Sequence, residues 1–177
     1  IQGCTLAQYM QRQNSIIPLD MAEVIIISVA KSMSKIHRLG LLHRDISPDN
    51  IMLLEDGSIK LIDFGATRQY ALNETTDMSV MIKPGFAPME QYSRTGKQGP
   101  WTDVYALAAT YYFIVSGKRP LTAVDRCAGE QQLSLSSVNS NVPEELSEVI
   151  DCALELDYSV RIQNMEEFVR EFETAYR

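Results

Sequence analysis

Asp45, Asn50 and Asp63 are the side chains whose types and spacing best suit chemistry. They lie in the stretch His43 to Gly65, which reads HRDISPDNIMLLEDGSIKLIDFG. Asp45 and Asn50 precede one short apolar run, and Asp63 closes a second that contains Ile59, Leu61 and Ile62. Two neighbouring strands would bring the three oxygen-bearing side chains to one end of a hairpin. Such oxygens suit Mg2+, which keeps several waters and is commonly shared between one or two carboxylates and a substrate phosphate. A carboxylate outside the metal shell can take the proton of a hydroxyl nucleophile. These are the needs of phosphoryl transfer, which runs mostly on positioning and charge neutralisation. The alternative is a hairpin whose acids are merely solvated.

The stretch matches the signature H-R-D-x-x-x-x-N followed by D-F-G, and the chain resembles bacterial Hanks-type, eukaryotic-like serine/threonine protein kinases. The resemblance implies a catalytic loop over 43–50 with Asp45 as catalytic base. It makes Asn50 and Asp63 the ligands of Mg2+, and ATP the phosphate donor. Phe64 and Gly65 complete the DFG element at 63–65 and open an activation segment over 63–90. Met52 would form the floor under adenine, joining Asn50 and Asp63 in the nucleotide site.

The elements that must hold these residues are mostly helical. Leu6, Tyr9 and Met10 predict a short helix that breaks between Asn14 and Pro18. In kinases such a helix follows the hinge between lobes, so the chain is expected to begin just past it. Asp20 with Glu23 predicts the start of a longer helix. Ile26, Val29, Met33 and Ile36 recur along it, and Gly40 stops it. Leu41 and Leu42 then lead as a short strand into His43. His43 could be a ligand, a base or a packing residue; the family packs this histidine against the Phe of DFG, here Phe64. His37 has no companion in the sequence that suggests chemistry.

Polar residues fill 66–84, the expected activation loop. A phosphate on Thr75, Thr76 or Ser79 would bring roughly two negative charges and could order the loop against Arg44. The alternative is an ordinary loop rich in hydroxyls. The run Ala87-Pro88-Met89-Glu90 resembles the Ala-Pro-Glu that closes the segment in the family. There the glutamate pairs with a late arginine, for which Arg161 is in the matching position. Val104 to Val115 is apolar on all sides and predicts a buried central helix, too short to span a bilayer. Asp103 at its start suits a helix N-terminus; the family uses it to accept hydrogen bonds from the catalytic loop backbone. One short helix is expected within 121–141, one starting at Pro143, and a last one capped by Asn164 with Glu167.

Two departures from the family pattern stand out. Ser47 occupies the place of the usual lysine two residues after the catalytic aspartate. Lys83 stands where the activation segment usually offers a threonine. A swap would explain both, with Lys83 supplying the ammonium group near the transferred phosphate and Ser47 making room for it. The alternative is that Lys83 is a solvated loop residue.

With 177 residues, 45% hydrophobic and 22% charged, the chain can bury one core. A net charge of -7 without a basic block argues against nucleic acid as partner. Three scattered cysteines suggest neither disulfides nor zinc, and no signal-peptide pattern opens the chain, so the cytoplasm is expected. No segment suggests membrane contact. The glycine-rich loop, strand lysine and helix glutamate of a kinase N-terminal lobe have no counterpart here. The expected fold is therefore mostly α with short β-hairpins, a kinase C-terminal lobe over 1–177 with a helical subdomain at 102–177 and the N-terminal lobe absent. The resemblance implies a protein substrate for the parent protein and little activity for the isolated lobe. The uncovered lobe face, near Met52 and the first helix, predicts self-association. A pseudokinase-like scaffold module and a small-molecule kinase of the aminoglycoside type are the alternatives.

Overall fold

The computed structural model describes residues 3–64, 67–69, 82–93 and 95–177. Strand β1 (Gly3–Thr5) runs into helix α1 (Leu6–Gln13), and helix α2 (Leu19–Arg38) follows. Strand β2 (Leu41–Leu42) leads to the hairpin β3 (Ile51–Leu54) and β4 (Ile59–Leu61), then β5 (Arg68–Gln69). Helices α3 (Pro100–Ser116), α4 (Ala123–Cys127), α5 (Leu135–Val138), α6 (Glu144–Ala153) and α7 (Met165–Tyr176) complete the chain.

Helix α3 is the post around which the rest packs. Its residues from Thr102 to Tyr112, with Ile114 and Val115, are all buried, as its uniformly apolar sequence requires. Pro100 at its first turn lacks an N–H that would be unsatisfied there anyway, and Gly117 ends it in a left-handed conformation, φ 72°. Helix α2 presents Ile26, Val29, Ala30 and Met33 to the same core, and α7 adds Phe168 and Phe172. Tyr111 of α3 meets the Phe172 ring edge-on at 5.0 Å.

Above the helices, β1, β3 and β4 form an antiparallel sheet in the order β1-β3-β4, with Thr5 opposite Met52 and Ile51 opposite Leu61. Strand β2 pairs with β5, Leu42 opposite Arg68. The expected hairpin is present, and it sets Asn50 and Ile62 side by side: the Ile62 N–H donates to the Asn50 carbonyl at 2.8 Å.

Two local expectations are corrected. Helix α2 begins at Leu19 with Pro18 as its N-cap, and the Asp20 carboxylate accepts from the adjacent Met21 N–H at 2.9 Å, with no capping box to Glu23. Proline's fixed φ already suits the cap, so Asp20 lies inside the first turn. The capping box belongs to α1, where Thr5 and Gln8 bond each other's backbone. The polar stretch after α3 holds two short helices, α4 and α5, where one was expected. Among the described residues no helix is long and apolar enough to cross a membrane, and the three cysteines are free.

Candidate active site

Asp103, fully buried at the start of α3, ties down the loop after β2. Its Oδ1 accepts from the Arg44 N–H at 2.8 Å and its Oδ2 from the His43 N–H at 2.9 Å. The Oδ2 atom also lies 2.8 Å from His37 Nε2; a carboxylate can only accept, so the imidazole carries that hydrogen. A buried carboxylate without such donors would be costly. His37 looked uncommitted in the sequence, yet it is a buried partner of Asp103. Its placement on the inner face of α2, four residues after the core residue Met33, was the available signal.

The same bonds hold Arg44 in a left-handed backbone, φ 68°, a conformation that costs a non-glycine residue roughly 1–2 kcal/mol. Gln91 adds a further hold, its Nε2 donating to the Arg44 carbonyl at 2.9 Å. Nothing in the sequence had singled out Gln91. The Arg44 residue is 6% exposed.

His43 joins the two halves of the site. Its Nε2 lies 3.1 Å from the Ile62 carbonyl, and the Asp45 N–H points to its Nδ1 at 3.3 Å. Burial pushes the imidazole below the ordinary histidine range, against the opposite pull of Asp103, the Ile62 carbonyl, Asp45 and Asp63. A neutral ring with its hydrogen on Nε2 satisfies both bonds. The Phe64 ring stands edge-on to it at 4.8 Å.

Asn50 donates from Nδ2 to both the carbonyl and the carboxylate Oδ2 of Asp45, each at 2.8 Å. One amide thereby sets the orientation of the aspartate. With its nitrogen committed, the Asn50 side chain has an oxygen left to offer. Asp63 follows β4 at the same end of the hairpin, exposed and in a left-handed backbone, φ 61°. An amide oxygen and a carboxylate are hard donors that fit Mg2+, an ion that completes its shell with water and phosphate. Among the described residues no group of three His, Cys, Asp or Glu side chains forms a metal cluster. Met52, on β3, is half-buried on the sheet.

Lys83 arrives from a distant segment. Its Nζ donates to Ser47 Oγ at 2.8 Å, lies 3.3 Å from Asp45 Oδ1 and 3.7 Å from Asp49 Oδ2, with the side chain 29% exposed. A cavity of about 290 Å3 opens next to this cluster, lined by Met10, Pro48, Asp49, Phe86, Phe113 and Arg119.

Farther out, Glu90 and Arg161 form a buried bidentate ion pair, 2.7 Å at Oε1 and 3.3 Å at Oε2. The remaining guanidinium hydrogens go to the carbonyls of Glu155, Leu156 and Trp101, and Thr102 donates to Glu90 Oε1 at 3.0 Å. Gly65, Thr75, Thr76 and Ser79 lie outside the described residues.

Comparison with known proteins follows the same lines. The model of the protein kinase domain family matches residues 1–172. A probable serine/threonine-protein kinase of Clostridium perfringens is 29% identical across 98% of this chain. The serine/threonine-protein kinase PknL of Mycobacterium tuberculosis is 29% identical across 86%, and serine/threonine-protein kinase F of Synechocystis 37% across 76%. The chain spans only 26%, 40% and 28% of those three proteins. A solved structure titled PpkA-294 apo form superimposes with a TM-score of 0.78 at 32% identity, covering 97% of this chain and 60% of that one. A family match over nearly the whole chain, joined to this fold, makes the chain a member of the protein kinase family.

Proposed function

We propose that this chain is the C-terminal lobe of a serine/threonine protein kinase, covering 1–177, that moves the γ-phosphoryl group of ATP to a protein hydroxyl. The observation that carries the reading is the pair of hydrogen bonds that the Asn50 amide donates to Asp45. It fixes a carboxylate beside an amide oxygen and a second carboxylate at one hairpin end, the arrangement phosphoryl transfer needs.

In this reading Asp45 accepts the proton of the acceptor hydroxyl as its oxygen bonds phosphorus and the bond to ADP breaks. Asn50 and Asp63 hold Mg2+, which when bound neutralises charge on the phosphates. Met52 supports adenine from below. His43, Phe64, Asp103, Glu90 and Arg161 keep these parts in place. Arg44 is the partner for a phosphate on Thr75, Thr76 or Ser79. The cavity beside Asp49 takes the acceptor chain. The parent protein works in the cytoplasm, and no nucleic acid or membrane contact is assigned to this segment.

An N-terminal lobe is needed to close the nucleotide site, so the isolated chain turns over little ATP. At the edge of the site Phe64 is 45% exposed. An exposed apolar face tends to find a partner, and the isolated chain self-associates through the surface near Met52 and α1. Sedimentation at high concentration tests that point: a strictly monomeric species contradicts it. For the reaction itself, the full-length protein and its Asp45→Asn variant are compared for autophosphorylation, with phosphosites mapped. Phosphoserine or phosphothreonine on the wild type alone is expected; equal labelling of both proteins refutes the assignment.

A further inference from the structure

We propose that Lys83 is the cation that meets the transferred phosphoryl group and that Ser47 holds its ammonium in position. The proposal rests on the phosphotransfer reading above and adds to it the residue that faces the phosphate opposite the metal site.

The cluster is built for a single orientation of the ammonium. Ser47 is fully buried, and its hydroxyl accepts from Lys83 Nζ at 2.8 Å. The same nitrogen is 3.3 Å from Asp45. An acceptor hydroxyl must lie within about 2.6–3.2 Å of its base, so the phosphorus it attacks is in the next layer of atoms. A cation 3.3 Å from the same carboxylate reaches that layer. Asn50 occupies the other oxygen of Asp45, at Oδ2, whereas Lys83 lies at Oδ1. Amide and ammonium therefore flank the base from two sides.

Lys83 is not carried by the loop that holds the base. Its carbonyl accepts from the N–H groups of Phe86 and Ala87, each at 3.1 Å, closing a tight turn. Gly85 sits in that turn at φ 86°, where a Cβ would come within 2.8 Å of the Pro120 carbonyl. The Phe86 ring rests edge-on against Phe113 at 5.9 Å. The turn is thus seated on α3 and the loop after it, and the ammonium is delivered from there. During transfer Lys83 keeps all its protons and donates hydrogen bonds to the phosphoryl oxygens, while the hydroxyl proton goes to Asp45. Preorganised donors of this kind lower the barrier because they need not reorganise as charge builds.

Because Ser47 and Lys83 share one site, the charge can be moved between them. The test uses the full-length protein with Mg2+ and ATP, reading autophosphorylation and transfer to dephosphorylated casein. Lys83→Met is expected to lower kcat about a hundredfold while KM for ATP stays within about threefold. Adding Ser47→Lys to Lys83→Met is expected to bring kcat back to within about tenfold of wild type. Lys83→Met turning over within about threefold of wild type overturns the proposal. If Asp45→Asn is inactive in the same assay, that result leaves the phosphotransfer reading intact. A wild-type protein that transfers no phosphate defeats that reading, and the proposal with it. Should Lys83→Met melt below wild type, Ser47→Ala decides, since it removes only a hydroxyl: a kcat loss of about tenfold supports the positioning, and unchanged turnover overturns it.

Discussion

Glu90 and Arg161, 71 residues apart, meet as a two-point ion pair from which solvent is excluded. The pair joins the turn that follows Lys83 to the segment between α6 and α7. Every other hydrogen bond of the Arg161 guanidinium ends on a backbone carbonyl, so Glu90 is the carboxylate it binds directly among the described residues. Removing one partner from such a pair strands a buried charge at a cost of about 3–5 kcal/mol. Arg161→Met is expected to lower unfolding stability by that amount, read from urea denaturation. A loss under about 1 kcal/mol would mean that the pair adds little beyond packing.

Asp103 predicts a different pattern. Three hydrogen bonds converge on it, two from backbone N–H groups. Asparagine at this position would turn an NH2 toward at least one of those donors, leaving it unsatisfied at about 1–3 kcal/mol. Asp103→Asn should therefore destabilise the chain by about 1–3 kcal/mol and release the left-handed Arg44. Hydrogen exchange at the His43 and Arg44 amides reads this directly. Faster exchange there, with α7 amides unchanged, is the expected result.

Asp151 gives a pH-dependent prediction. It lies near the C-terminal end of α6, where the helix dipole disfavours an anion. Burial and the neighbouring Glu144, Glu155 and Glu148 raise its carboxyl to about 6 from the ordinary 3.8, against the opposing pull of Arg126. The folded state thus binds the proton more tightly than the unfolded chain. Its charge penalty is absent at low pH, accrues from about pH 4 to about pH 6, and is full above that. Asp151→Asn should raise the melting temperature at pH 7.5, and the gain should vanish near pH 4. An equal gain at both pH values would place its origin elsewhere.

Much of this architecture is legible in the residues themselves, for identifiable reasons. An apolar run without a polar face, Val104 to Val115, has nowhere to go but the core, and α3 is buried all round. Asn164 offers a side-chain oxygen three residues before Glu167, and its Oδ1 accepts the Glu167 N–H at 2.8 Å. The two short helices after α3 are harder to read because their support is partly tertiary. Thr122 caps α4 locally, accepting from Asp125 N–H at 3.1 Å, but α5 is held by Ser147 of α6, whose Oγ accepts from the Ser136 N–H at 3.0 Å. His37 is the same kind of case. Its partner Asp103 lies 66 residues away, and no local spacing joins them. In the candidate site, a sequence motif singles out Asp45, Asn50 and Asp63. Gln91 and the Asp49 contact to Lys83 emerge only when separate segments are packed together.

The central claim is that Asp45 takes the proton from an acceptor hydroxyl while Asn50 and Asp63 serve the metal. Single-turnover transfer from ATP by the full-length protein tests it most directly, with Asp45→Asn and Asp63→Asn measured alongside Mg2+-dependent nucleotide binding. Asp45→Asn is expected to lose at least about a hundredfold in the transfer rate while still binding nucleotide in a Mg2+-dependent way, and Asp63→Asn is expected to lose that binding. Transfer by Asp45→Asn at the wild-type rate would contradict the account.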